Sequence, residues 1–133
     1  MSKENVEVIR RGYEAFTAGR LADYMERVAH PEFELDMSNW GPAAYTYRGG
    51  DGFRRFLRAL DQLWERFDIE PERFVSADDR VVVIIRVEAR GRGSGVEVSA
   101  RYANAWTFRD GKVIRAEWFE DPDVALEAAG LPE

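Results

Sequence analysis

Asp110-Gly111 sits between two alternating runs, Val96 to Arg109 and Lys112 to Asp121, and this arrangement constrains the fold more than any other stretch of the chain. A two-residue connection between strands favours a type I′ turn, which needs positive φ at both central positions, and glycine supplies one of them without strain. In the first run Val98, Ala100, Tyr102, Asn104, Trp106 and Phe108 hold nearly all the apolar bulk, alternating with Glu97, Ser99, Arg101, Thr107 and Arg109. Successive side chains on a strand point to opposite faces, so the first set forms an inward face with Asn104 as its one polar member. A buried polar group left unpaired costs on the order of a few kcal/mol. Asn104 therefore either bonds a neighbour such as Tyr13 or addresses a ligand.

The rest of the chain supplies helices to cover that face. Val6, Ile9, Tyr13 and Phe16 recur at spacings of three and four and predict a helix from Lys3 to Ala18, stopped at Gly19. Leu21, Tyr24, Met25 and Val28 form a second, shorter stripe that ends before His30-Pro31, because the residue preceding a proline is pushed out of the α region. Phe33 to Met37 alternates as a brief strand, and Trp40 to Gly50 has the composition of a loop. Phe53, Phe56, Leu57, Leu60, Leu63, Trp64 and Phe67 predict one long helix, closed by Pro71. A strand around Phe74 and Val75 and another over Val81 to Ala89 follow, the second dense in β-branched residues. Asp121 and Pro122 begin a terminal helix that stops at Gly130. This order predicts an α+β fold with helices against one face of a curved, mainly antiparallel sheet.

Composition narrows the function classes. At 133 residues and 45% apolar content the chain fits a single domain, residues 1–133. There is no run of eighteen apolar residues and no signal-peptide pattern at Met1 to Glu7, which predicts a cytoplasmic protein with no membrane partner. The absence of cysteine excludes disulfides and thiolate chemistry, and one histidine among scattered carboxylates argues against a zinc site. A net charge of −6 with interspersed signs argues against nucleic acid, which needs a basic stripe. The RGRGSG segment at Arg90 to Gly95 lacks the Lys-Ser/Thr pair and the following helix of a phosphate-binding loop, and no cofactor is expected.

Tyr13-Glu14-Ala15-Phe16 with Ala18-Gly19, His30-Pro31, Tyr47-Arg48-Gly49-Gly50, Asp110-Gly111-Lys112-Val113 and Asp121 through Leu131 together resemble the SnoaL-like group of the nuclear-transport-factor-2-like superfamily. These elements run the whole length of the chain. The resemblance implies a cone, in which helices lie on the concave face of a strongly bent sheet and leave a pocket open at one end. It also implies a homodimer through the sheet face. The pocket would take Tyr13 and Phe16 from the first helix, Trp40 near the mouth, and Phe53, Phe56, Leu60 and Trp64 from the long helix. Tyr102, Asn104, Trp106, Trp118 and Glu120 would come from the last two strands. An apolar pocket with few polar groups is the usual character of a small-molecule site.

One relative of this fold, a ketosteroid isomerase, uses an aspartate base with a tyrosine and a protonated acid as hydrogen-bond donors to the substrate oxygen. Matching through VAHPEFELD puts Asp36 at the base position, and matching through NAWTF puts Asn104 where the donor acid sits; Tyr13 falls one residue from the tyrosine position. An amide can donate to an enolate oxygen without any tuning of its pKa. The alternation Phe33, Leu35, Met37 points the other way for Asp36, turning it to the polar side unless a bulge re-aims it. SnoaL-like cyclases look for their acid and base at inward places on the last strand, here Ile114, Ala116, Trp118 and Glu120, where only Glu120 is ionisable. The Asp-Arg-Asp arrangement of limonene-epoxide-hydrolase-like proteins has no inward counterpart.

The expectation is thus a pocket protein for an apolar or aromatic small molecule. Its activity would be isomerase- or cyclase-type proton transfer next to a carbonyl, with Asp36, Tyr13 and Asn104 as the catalytic set. The alternatives are a non-catalytic binding protein and an interaction module.

Overall fold

The computed structural model describes residues 2–38 and 46–130. In chain order these form α1 (Ser2–Thr17), α2 (Leu21–Val28), β1 (Ala29–Asp36), β2 (Thr46–Arg48), α3 (Gly49–Leu63), β3 (Trp64–Ala77), β4 (Arg80–Gly91), β5 (Glu97–Arg109), β6 (Lys112–Phe119) and α4 (Pro122–Ala128). The strands make one six-stranded sheet in the order β2-β1-β6-β5-β4-β3, antiparallel except where β1 runs parallel to β6.

Local chemistry sets each of these elements. At the end of α1, Gly19 takes φ +73°, the Gly19 N–H donates to Phe16 O at 3.1 Å and the Arg20 N–H donates to Ala15 O at 2.8 Å. That pair of bonds satisfies two of the carbonyls a helix end leaves free, and it turns the chain back so that α2 packs on α1. Asp110 and Gly111 both have positive φ, +53° and +77°, as a type I′ hairpin requires. Asp121 caps α4 by accepting from the Asp123 N–H at 2.9 Å, with Pro122 at the first helical position.

The sheet bends far enough for its two ends to meet one helix. α3 touches β1 and β2 at one end of the strand order and β3 at the other, and α1 crosses β3 and β4. The concave side so formed carries the main core, with Val81, Val83, Ile85 and Val87 on β4 almost fully buried against α1 to α3. α4 departs from the expected arrangement by packing on the convex side. Ala125 and Leu126 cover Val82, Ala103, Ala105 and Phe119, apolar residues of outward parity that need a cover of their own. Beyond α4 the convex face is ionic: Arg86 pairs with Glu88 at 3.2 Å, and Arg101 with Glu72 at 2.6 Å.

Two departures from the sequence expectation share one cause. The predicted long helix stops at Leu63, and Trp64 and Phe67 open β3 instead. Between Trp64 and Arg66 the β3–β4 register shifts. One extra residue in a strand brings positions three apart onto the same face, which a helix also does. Trp64 and Phe67 lie 5.8 Å apart by ring centroid and so continue the helical spacing from within a strand. On β6 the pairing shifts between Thr107 and Phe108, so that Val113 is fully buried and Ile114 only half-buried. Ala116 and Trp118 keep the inward parity expected from alternation. Pro71 falls at a second irregularity of β3, which is an end strand, and there a missing backbone N–H breaks no ladder bond.

Candidate functional site

A cavity of about 60 Å³ lies between α1, α2 and α3 and the concave face of the sheet. Its lining is almost wholly apolar, from Ile9 and Phe16 on α1 through Met25 on α2 and Phe53 on α3 to Val113 and Ala116 on β6. Phe16, Leu21, Leu60 and Phe67 also line an outer groove of about 340 Å³, so these four side chains form the partition between groove and cavity.

The polar groups of the cavity wall are connected in one line. The Trp106 indole Nε1–H donates to Tyr13 Oη at 3.1 Å, and the Tyr13 hydroxyl donates to Asn104 Oδ1 at 2.7 Å. The rings of Tyr13 and Trp106 meet edge to face with centroids 6.1 Å apart, which holds the hydroxyl over the indole N–H. Asn104 is only 6% exposed, and its amide nitrogen has no hydrogen-bond partner among the described residues. Burial pushes the Tyr13 phenol well above its ordinary range, more than the bond from Trp106 lowers it, so the hydroxyl keeps its proton and stays a donor. Tyr24, also on the wall, is committed elsewhere, donating to Val8 O at 2.7 Å.

Eight of the pocket residues expected from sequence line this cavity: Tyr13 and Phe16; Phe53, Phe56 and Leu60; and Asn104, Trp106 and Trp118. Trp64 lines the outer groove instead, because β3 begins there. Tyr102 is half-buried behind Trp118, with ring centroids 5.5 Å apart, and its phenol is raised first by burial and then by the charge of Glu120. Glu120 is exposed, one residue past the end of β6. Trp40 lies outside the described residues. The sequence expectation did not include α2, which contributes Leu21, Tyr24, Met25 and Val28 to the wall, although the stripe of those same four residues was the signal.

Asp36 does not join the cavity. Leu35 is in the core, so the next residue on the strand turns outward. There Asp36 Oδ1 accepts from the Ser38 N–H at 2.8 Å, and Oδ2 accepts from the Arg115 guanidinium. Arg115 is held at the same time by Glu34 at 3.1 Å and by Glu117 at 3.7 Å. Burial alone would raise the Asp36 pKa, but hydrogen bonds from Ser38 and the charge of Arg115 outweigh it and hold the carboxyl below its ordinary value. A carboxylate so stabilised is a weak proton acceptor. Glu117 borders the cavity, but it stands between inward Ala116 and Trp118, and its carboxylate meets Arg115 on the outer side. His30 lies away from the cavity and accepts the Glu32 N–H at Nδ1, 3.0 Å. No group of three His, Asp or Glu side chains that could hold a metal ion occurs among the described residues, and no helix there is long and apolar enough to cross a membrane.

Comparison with known families decides the lineage of this architecture. The model of the SnoaL-like domain matches residues 9–116, most of the chain. The chain belongs to the SnoaL-like family. No curated protein sequence matches it. Among solved structures, this SnoaL-like protein is similar to TerC, co-crystallised with polyporic acid, at 27% identity and a TM-score of 0.75 over 94% of this chain and 96% of that one. It is also similar to a nuclear-transport-factor-2-like protein of unknown function from Burkholderia pseudomallei K96243, at 20% identity and a TM-score of 0.78 over 96% and 97% of the two chains. A SnoaL-like polyketide cyclase candidate from Jannaschia sp. CCS1 matches at 21% identity and a TM-score of 0.79, over 100% of this chain and 96% of that one. The family includes cyclases and isomerases, and the last two likenesses speak to the fold alone.

Proposed function

We propose that the cavity holds a small, mostly apolar molecule by one polar atom, and that the protein acts on it as an isomerase- or cyclase-type enzyme by easing proton transfer next to a carbonyl. The observation that carries this reading is the Tyr13–Asn104 bond of 2.7 Å, set in an otherwise apolar wall. Hydrogen-bond donors held in a dry site stabilise charge developing on oxygen far better than water does, because they need no reorganisation when the charge appears. The nearby carboxylates, Asp36 and Glu117, are both engaged by Arg115. The protein's share of the chemistry is therefore shape and stabilisation of the oxyanion, and the proton moves to water or to a group on the substrate itself. TerC, similar at 27% identity, was co-crystallised with polyporic acid, which supports the reading of an organic ligand.

Exchange of α-protons for deuterium in a panel of small ketones, followed by NMR, tests this. Parent protein is expected to accelerate exchange of at least one ketone, and Asn104→Leu to slow that exchange by about 10²–10³-fold, the usual cost of losing one oxyanion donor. Equal exchange with parent and variant would overturn the catalytic reading.

A further inference from the structure

We infer that Trp106 fixes the direction of the hydrogen-bond line, so that the cavity recognises a hydrogen-bond acceptor on its ligand and rejects a donor. This rests on the cavity being the ligand site. An indole N–H can only donate. With Trp106 donating to Tyr13 Oη at 3.1 Å, the hydroxyl proton is directed onward, and it goes to Asn104 Oδ1 at 2.7 Å. The amide must then turn its carbonyl oxygen to Tyr13, and Nδ2, a donor without a partner among the described residues, is what Asn104 offers the cavity. Nothing in this line titrates near neutrality, since Tyr13 is held protonated by burial and neither an amide nor an indole ionises there. The fitting ligand class is a ketone, ether or similar neutral acceptor on an apolar frame. Without the indole N–H, the hydroxyl and the amide could both reverse, and Asn104 could present Oδ1 instead. Trp106 is a positioning residue in this scheme and acts through Tyr13.

Three five-membered rings of similar size separate the possibilities: cyclopentanone, which only accepts, pyrrole, whose N–H only donates, and cyclopentene, which does neither. Titration by NMR is expected to show parent protein favouring cyclopentanone over pyrrole, and Trp106→Phe reducing that preference about tenfold while cyclopentene binding changes little. A preference unchanged in Trp106→Phe, or a uniform weakening of all three rings, would overturn the inference. In the parent alone, the Asn104 side-chain N–H signals are expected to move on adding cyclopentanone and not on adding cyclopentene, a readout that survives if the variant fails to fold. Should none of the rings bind the parent, the cavity itself is not a ligand site and both readings fall; should they bind without preference, only this one does.

Discussion

Trp118→Ala is expected to lower the free energy of unfolding by about 3–5 kcal/mol, the usual range for deleting a buried aromatic. The side chain is only 5% exposed and is wedged between side chains of the bent sheet, with its ring centroid 5.5 Å from that of Tyr102 on β5 and 6.5 Å from that of Phe67 on β3. Its neighbours come from strands held by long ladders, which limits how far they can close over the gap. A loss of that size is a large share of the roughly 5–15 kcal/mol that holds a domain together. Because Trp118 is also cavity wall, the variant is expected to bind larger apolar molecules than the parent does. Urea unfolding with fluorescence detection measures the first effect; a loss below about 1.5 kcal/mol would mean that the surroundings collapse into the space despite the strand ladders that hold them.

Arg115→Met is expected to cost about 2–3 kcal/mol at neutral pH. The guanidinium is shared by Glu34, Asp36 and Glu117, and removing it leaves three carboxylates close together with Asp36 only 8% exposed. Breaking a fully buried pair costs about 3–5 kcal/mol, and Arg115's own 36% side-chain exposure reduces that through solvent screening. The pH dependence gives the sign. The folded-state pKa of Asp36 is depressed, so below the unfolded value of about 3.9 the unfolded chain binds more protons than the folded one, and stability falls with pH in that window. The stabilisation is present above the unfolded value and is lost as pH falls through the folded one. The gap between parent and variant is therefore expected to be wide at neutral pH and to shrink as pH falls below about 3.9 and through the lowered pKa of Asp36. A gap that stays constant across that range would assign the loss to packing of the arginine stem instead.

What the sequence made legible, and what it hid, follows from where the strands stay regular. Parity along β5 picked out Asn104 as the polar residue indoors, and the structure buries it, because no shift interrupts the β4–β5 pairing from Arg80 to Arg90. The question whether Asn104 meets Tyr13 or a ligand divides between the two ends of its amide: Oδ1 is taken by Tyr13, and Nδ2 remains. Parity on β1 likewise turned Asp36 outward, against its place in the isomerase pattern. The cation that waits there, Arg115, comes from a strand 79 residues away and leaves no local trace in the sequence. Regularity failed at Trp64 and at Ile114, where register shifts made a strand imitate helical spacing and exchanged Ile114 for Val113. A bulge is set by pairing with a distant partner, so the residues around it do not announce it. The line through Trp106 was invisible for the same reason, since Tyr13 and Trp106 are 93 residues apart.

The two ends of the sheet carry a consequence for behaviour at high concentration. Among the described residues β2 is three residues long, and β3, although fourteen, is interrupted by register shifts on either side of its centre, with Pro71 at the second. Neither offers a long, even row of backbone donors and acceptors on which another chain could lay down a strand. Charged residues along β3, among them Glu65, Arg66, Asp68, Glu70, Glu72 and Arg73, repel an identical strand brought alongside in register. The irregularities that obscured this strand in the sequence thus also protect an open sheet from fibril growth.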